Sequence, residues 1–411
     1  PVSEKNEPMM KGKFQPTWES LENYQVPEWF RNAKFGIWAH WGPQCVEGSG
    51  DWMARSMYME GTSEYKHHVE HYGHPSEVGK AEKWDPDKLV AYYKGLGAQY
   101  FFVLGNHHDN FDLWDSKYQA WNSVNMGPKR DILAEWEKAA RKYELPFGIS
   151  FHADHAWTWY EPSQRYDRHG PKAGVPYDGT LTKADGKGKW WEGYDPQDLY
   201  AQNHPMSKGS WVDGMIHSQW AWGNGAATPT EEFCTNFYDR TVDAINRYNP
   251  DLIYFDVTAL PFYPISDAGL KIAAHFYNHN MATHKGKLEA VLFGKILDGE
   301  QRKALVWDVE RGAPNEILDR PWQSCSCLGG WHYNTSIYEN NWYKSASDVV
   351  KLLVDIVSKN GNMLLNVGPM ADGTIPEMQK KPLLELGAWL KVNGEAVYGT
   401  RASLLHKSFA C

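Results

Sequence analysis

Two carboxylates and four histidines stand where short apolar runs of this chain break off. Leu252-Ile-Tyr-Phe255 contains no charged residue and stops at Asp256, between the turn signals Asn249-Pro250-Asp251 and Ala259-Leu260-Pro261. Ala304 to Trp307 leads through Asp308 and Val309 to Glu310, and Phe35 to Gly42 ends in His40-Trp41-Gly42. Tyr100 to Leu104 is followed by Gly105-Asn-His107-His108-Asp109, and Pro146 to His152 again finishes on histidine. A continuous apolar run bounded by turns reads as a strand buried on both faces, as in a parallel sheet. The C-terminal ends of such strands are where a β/α barrel keeps its chemistry. For Asp256 alone, the structural alternative is an N-cap opening the next helix.

Two classes of chemistry fit these residues. Asp256 and Glu310 could flank a glycosidic bond as a carboxyl pair, roughly 5 Å apart in a retaining enzyme. Histidine and asparagine donors with an aromatic floor would hold neutral hydroxyls. The competing class is metal-assisted hydrolysis, with His107-His108-Asp109 and His152-Ala153-Asp154-His155 as donors. Adjacent histidines on a strand point to opposite faces, so a pair gripping one ion is expected as His-x-His. That spacing is absent from the first two strands, and no metal or other cofactor is expected.

The elements that must gather these residues alternate. Helical patterns cover Pro86 to Leu96, 130–144, Phe233 to Tyr248, Ala268 to Thr283, a stretch around Val349 to Val357, and 376–393. Further apolar strands are Glu289 to Phe293, Trp322 to Leu328 and Asn362 to Pro369. Eight strands alternating with mostly helical connections predict an α/β fold, a (β/α)8-like TIM barrel. The expected organisation is a polar surface lead-in over 1–25, a barrel over 26–400 with insertions at 43–84 and 156–229, and a tail over 401–411. No internal repeat is visible.

Composition narrows the partners. The 411 residues carry a net charge of −9, which argues against nucleic acid and anionic membrane surfaces. No apolar run reaches the length that spans a bilayer, so no membrane insertion is expected. Aromatic residues make up 14 % of the chain, with 21 tryptophans, a composition that suits either sugar stacking or an aromatic-rich core. Five scattered cysteines without a C-x-x-C pattern exclude a disulfide framework or a zinc ribbon.

Several motifs in order carry a family resemblance. They are Trp29-Phe30 through Lys34-Phe35-Gly36-Ile37 to His40-Trp41-Gly42, then His107-His108-Asp109-x-Phe111-x-Leu113-Trp114. Trp121-Asn122-Ser123, Gly127-Pro128-Lys129-Arg130-Asp131 and Pro250-Asp251-x-Ile253-x-Phe255-Asp256 follow. Asn362-x-Leu364-Leu365-Asn366-Val367-Gly368-Pro369 and Asp372-Gly373-Thr374-Ile375-Pro376 close the set. On these stretches the chain resembles the α-L-fucosidases of glycoside hydrolase family 29. The resemblance implies a retaining exo-glycosidase that removes a terminal α-L-sugar from an oligo- or polysaccharide, in the periplasm or outside the cell. Asp256 matches the family's nucleophile, and Glu310, 54 residues later, matches the usual acid/base. His40, His107 and His108 match histidines that hold fucose hydroxyls. Trp41, Asp51, Trp52, His152, Trp322 and Gln323 are expected around the same sugar. Glu310 is expected beside apolar walls or near Asp256 itself.

The departures from the family pattern set further expectations. Asp51-Trp52 stands where the family usually has Glu-Trp, and Asn110 replaces a glycine. Phe151-His152 replaces tyrosines and a serine, and Trp322-Gln323-Ser324-Cys325 lacks the carboxylate of Trp-Glu-x-Cys. The usual C-terminal β-sandwich has no room before Cys411. A pocket with His152, Asn110 and a shorter Asp51 could accept a hydroxyl on C6, which makes an α-L-galactoside of plant or algal galactan the alternative substrate. Further alternatives are a metal-dependent barrel hydrolase and an inactive carbohydrate-binding barrel.

Overall fold

Most of the strands are largely apolar because both of their faces are buried. A computed structural model describes residues 1–76, 84–208, 222 and 225–403. Its strands are β1 (Phe35–Ala39), β2 (Phe101–Leu104), β3 (Phe147–Phe151), β4 (Leu252–Phe255), β5 (Val291–Gly294), β6 (Val306–Glu310), β7 (Trp322–Cys327) and β8 (Gly361–Asn366). All pair in parallel, each with its sequence neighbour, and β8 closes on β1 with Met363 opposite Phe35. The expected (β/α)8 TIM barrel is the fold.

Alternation along a strand decides which side chains enter the barrel. Trp38 of β1 lies 4.7 Å from Tyr254 of β4, and Phe102 of β2 lies 5.7 Å from Phe293 of β5. Contacts between non-adjacent strands cross the interior, so these positions point inward. Room for them comes from glycine. A Cβ on Gly36 would meet the Tyr100 ring at 2.6 Å, and one on Gly148 would meet Phe102 at 2.7 Å. Counting on by two from Trp38 and Tyr254 reaches His40 and Asp256, and from Phe293 reaches Lys295. The polar ring at the barrel mouth therefore continues the inward parity of the core.

Strand direction and burial correct two expectations. Trp322 opens β7 and so lies at the N-terminal end of the barrel, opposite the mouth. It is buried, its indole donates to the Lys359 carbonyl at 2.7 Å, and its ring covers Gly361. Gln323 is fully buried inside the barrel, accepting from the Tyr100 hydroxyl (2.7 Å) and donating to Asp308 (2.8 Å). Neither reaches a sugar at the mouth. Asp308 also accepts from Tyr254 and Cys325, and burial pushes its carboxyl up to about 6.

Element boundaries shift by a few residues. β5 runs on to Gly294, and β6 begins at Val306 and extends to Glu310, two strand ends that the apolar runs alone misplace. The helices form as Pro86–Gly95, Ile132–Lys142, Glu231–Tyr248, Ala268–Thr283, Ala346–Ser358 and Glu377–Asn393. The lead-in is no loose surface arm. Val2, Phe14, Leu21 and Tyr24 are buried, and the Phe14 amide and Tyr24 hydroxyl bond Asn278 and the Ala290 carbonyl. The first insertion contains helices Met53–Ser56 and Ser63–Tyr72; residues 77–83 of it, 209–221 and 223–224 of the second, and the tail from 404 lie outside the described residues.

Candidate active site

Asp256 follows β4 directly, and Lys295 follows β5 directly. The Lys295 ammonium forms an ion pair with Asp256 Oδ1 and lies 2.7 Å from Glu310 Oε2. One ammonium touching both requires those two oxygens to lie within roughly 5 Å of each other, the spacing of a retaining carboxyl pair. Burial pushes the Asp256 carboxyl up, but Lys295 and then His152 outweigh it and hold the group well below the usual carboxylate range. Lys295 in turn is held charged: burial lowers it, and Asp256 and Glu310 raise it further. Glu310 is at the rim, its side chain 39 % exposed. It is close to Asp256, as expected, but its wall is the Lys295 ammonium and the Trp331 indole N–H (3.2 Å) rather than apolar side chains.

The histidines face the other oxygen of Asp256. His107 Nε2 lies 3.9 Å and His152 Nε2 3.8 Å from Oδ2. His40 is oriented by Asn366, whose amide donates to the Gly330 and Trp331 carbonyls. Its oxygen is therefore left for the His40 ring, and Nδ1–H donates to it at 2.8 Å. That assignment leaves the His40 Nε2 lone pair for the pocket. Burial, then the neighbouring His332, pulls His40 down to about 3; burial brings His152 down to about 4. His107 is lowered well below its ordinary value by burial and then by His108, and His108 by burial and then by His152. At neutral pH the cluster is uncharged and can both donate to and accept from hydroxyls. His108 is backed by Trp159, stacked at 4.1 Å; that buried residue is how the 156–229 insertion reaches the pocket.

The loop carrying His107 and His108 is fixed from below. Arg240 makes a buried bidentate pair with Asp112, and Asp112 accepts from Asn106 at 3.0 Å. Asn106 then accepts from the amides of His152 and Ala153, both at 3.0 Å, which ties the end of β3 to the same network. Asn110 belongs here and not to the pocket. It has φ of 62°, the conformation that explains the family's glycine, and it bonds Arg240 and the Asp198 and Leu199 carbonyls.

Asp51 reaches the pocket through a partner that the sequence did not single out. Its Oδ1 accepts from the His332 amide at 2.6 Å and from Nδ1 at 2.8 Å. The His332 ring sits 4.8 Å from His107 and 5.4 Å from His40. Trp331 beside it lies 5.3 Å from His40, giving the aromatic wall expected from Trp322. Trp52 is at the outer rim, 53 % exposed and edge-on to Trp159. Trp41 turns away from the cluster. It donates to the Met370 carbonyl, stacks on Trp84, and lines a neighbouring cavity of about 650 Å³ together with Trp121 and Trp190.

Lys295, Trp331, His332 and Asn366 surround the same cluster, as does Gln44, whose amide lies 3.1 Å from His107 Nδ1, and sequence reasoning singled out none of them for the site. Lys295 had a signal, a lone cation directly after a buried strand, hidden by placing the strand end at Phe293. The metal reading changes as well. His107 and His108 lie in a loop beyond Leu104, so strand alternation does not separate them, and with His152 they bring ligand atoms within 4.8 Å of one another.

Residues 2–395 match the family model described as alpha-L-fucosidase. The chain belongs to the α-L-fucosidase family. It is a glycoside hydrolase of the class that removes α-L-fucose. Among family relatives, the plasma alpha-L-fucosidase of Pongo abelii is 28 % identical over 94 % of this chain and 73 % of its own length. The human plasma alpha-L-fucosidase is 26 % identical over 94 % and 72 %. The crystal structure of Thermotoga maritima alpha-fucosidase superposes with a TM-score of 0.67 at 28 % identity, covering 95 % of this chain and 80 % of that one. A Thermotoga maritima alpha-L-fucosynthase in complex with an α-L-fucosyl-(1-2)-β-L-fucosyl azide gives 0.69 at 28 % identity, over 96 % and 80 %.

Proposed function

We propose that the protein is a retaining exo-α-L-fucosidase, with Asp256 as nucleophile and Glu310 as acid/base. The observation that carries this reading is the single Lys295 ammonium shared by the two carboxylates at the mouth of an uncharged histidine pocket. Asp256, kept ionised by Lys295, attacks the anomeric carbon while Glu310 protonates the leaving oxygen. Glu310 then takes a proton from the water that releases the sugar. His40, His107, His108 and His152 hold the ring hydroxyls, and Trp331 and the Asp51–His332 pair form the facing wall. The enclosed histidine ring suits one terminal sugar, which is the basis for exo action. A periplasmic or extracellular location is supported by the relatives named as plasma enzymes.

A second reading, hydrolysis of α-L-galactosides, draws on two buried ring nitrogens, His152 Nδ1 and His332 Nε2. Neither has a hydrogen-bond partner among the described residues. A C6 hydroxyl could satisfy one of them where a methyl group could not.

Hydrolysis of 4-nitrophenyl α-L-fucoside and α-L-galactoside by wild type, Asp256→Asn and Glu310→Gln tests both readings. Collapse of turnover in Asp256→Asn and release of the sugar with retained anomeric configuration are expected. Full activity in Asp256→Asn would overturn the assignment, and the ratio of the two rates decides between the sugars.

A further inference from the structure

Three histidines converge more tightly than hydroxyl recognition requires. One ring nitrogen from each of His107, His108 and His152 lies within 4.8 Å of the other two, and all three side chains are buried. Asp256 Oδ2 stands 3.9 Å from His107 Nε2 and 3.8 Å from His152 Nε2, while Lys295 occupies the other oxygen. We propose that His107, His108, His152 and Asp256 Oδ2 form a binding site for one divalent transition-metal ion of the zinc type, and that the ion excludes sugar from the pocket.

The donor set has the right chemistry. Three imidazoles and a carboxylate are ligands for zinc and its neighbours and a poor match for magnesium or calcium, which demand oxygen. Nitrogens around a tetrahedral zinc lie roughly 3.4 Å apart at a Zn–N distance of about 2.1 Å. The separations therefore have to close by at most about 1.4 Å.

Support behind one of the rings, that of His107, is also present. A ligating histidine usually donates its second nitrogen to an oxygen. Gln44 Nε2 lies 3.1 Å from His107 Nδ1, and Gln44 Oε1 is buried with no partner among the described residues. Turning that amide over presents Oε1 to an Nδ1–H and bares Nε2 for the ion. The two orientations have the same shape, so the turn displaces nothing. His108 Nδ1 and His152 Nδ1 are likewise buried without partners among the described residues. The rings are kept neutral by burial, the form that binds metal. Lys295 is the nearby cation that opposes the ion, with Asp51 and Glu310 as the carboxylates around the same mouth.

The test is calorimetric titration of the full chain with ZnCl2, with MgCl2 as control, and visible absorption after loading with Co2+. One Zn2+ per chain, the bands of four-coordinate cobalt and no response to MgCl2 are expected. His108→Phe and His152→Phe should each weaken Zn2+ at least about tenfold. Asp256→Asn, which keeps the side-chain shape, should also weaken it and guards against a misfolded histidine variant. Absence of saturable Zn2+ binding, or unchanged affinity in all three variants, overturns the site. Exclusion of sugar rests on the proposed function. Zn2+ that needs these residues but is not displaced by L-fucose would leave the metal site standing and overturn the exclusion of sugar, while fucoside hydrolysis by the metal-free chain tests the sugar-pocket reading separately.

Discussion

His332 Nδ1 donates to Asp51 across 2.8 Å, joining two loops 281 residues apart in the chain. The pair forms one wall of the histidine pocket and leaves the buried Nε2 of His332 without a partner among the described residues. Replacing His332 with Ala removes that nitrogen and unpins Asp51. The expected result is a loss of roughly tenfold or more in kcat/KM on the α-L-fucoside, carried mainly by KM. Unchanged KM would show that the pair only braces the two loops. His332→Asn, which can still donate to Asp51, should recover part of the loss.

Lys295 makes a sharper prediction. Without its ammonium, the burial of Asp256 is opposed chiefly by His152, and the carboxyl takes up its proton at higher pH. Lys295→Met should therefore move the acid limb of the kcat/KM profile upward and lower kcat by about 10²-fold or more. An acid limb that stays in place would mean that Lys295 does not set the ionisation of Asp256.

The Arg240–Asp112 pair lies below the site and is buried on both sides. Arg240→Met leaves Asp112 charged and unpaired, at a cost of roughly 3–5 kcal/mol in urea unfolding. Because Asp112 holds Asn106, and Asn106 holds the amides of His152 and Ala153, activity should fall with stability. Asn106→Leu is the test of that link. It should reduce kcat/KM while costing less stability than Arg240→Met.

His275 gives a pH signature away from the site. Its Nδ1 accepts the Met10 amide and its Nε2–H donates to Asn246, both at 2.8 Å, so the docked lead-in requires a neutral ring. Burial, with His279 adding to it, lowers the group to about 4. Since the folded state binds this proton less readily than the unfolded state, the contribution is complete above about 6.5 and is lost as pH falls toward 4. It amounts to roughly 3 kcal/mol. The difference in unfolding free energy between wild type and His275→Gln should shrink as pH falls from 7 to 4.5. A gap that is constant with pH would refute it.

The barrel was legible because its evidence is local. Apolar runs, turn residues and helical periods each report on a few neighbouring residues, and eight such runs admit few architectures. The strand ends alone even brought His40, His152 and Asp256 to one face of the barrel, since the direction of parallel strands is a property of the fold. The failures are of another kind. Nearness to a strand in sequence suggests a pocket role for Trp322, but strand direction puts the first residue of β7 at the far end of the barrel. Asn110 resembled a pocket substitution, yet its left-handed backbone and Arg240 assign it to the loop's foundation. Lys295 depends on β5 lying between β4 and β6, the three-histidine convergence on the neighbouring loops after β2 and β3, and His332 on the closure of β8 between β7 and β1. The chain by itself determined the fold and the family, and it pointed to the two carboxylates proposed for catalysis. What surrounds those carboxylates was decided by closure of the barrel, because contacts between distant loops leave no periodic trace in sequence.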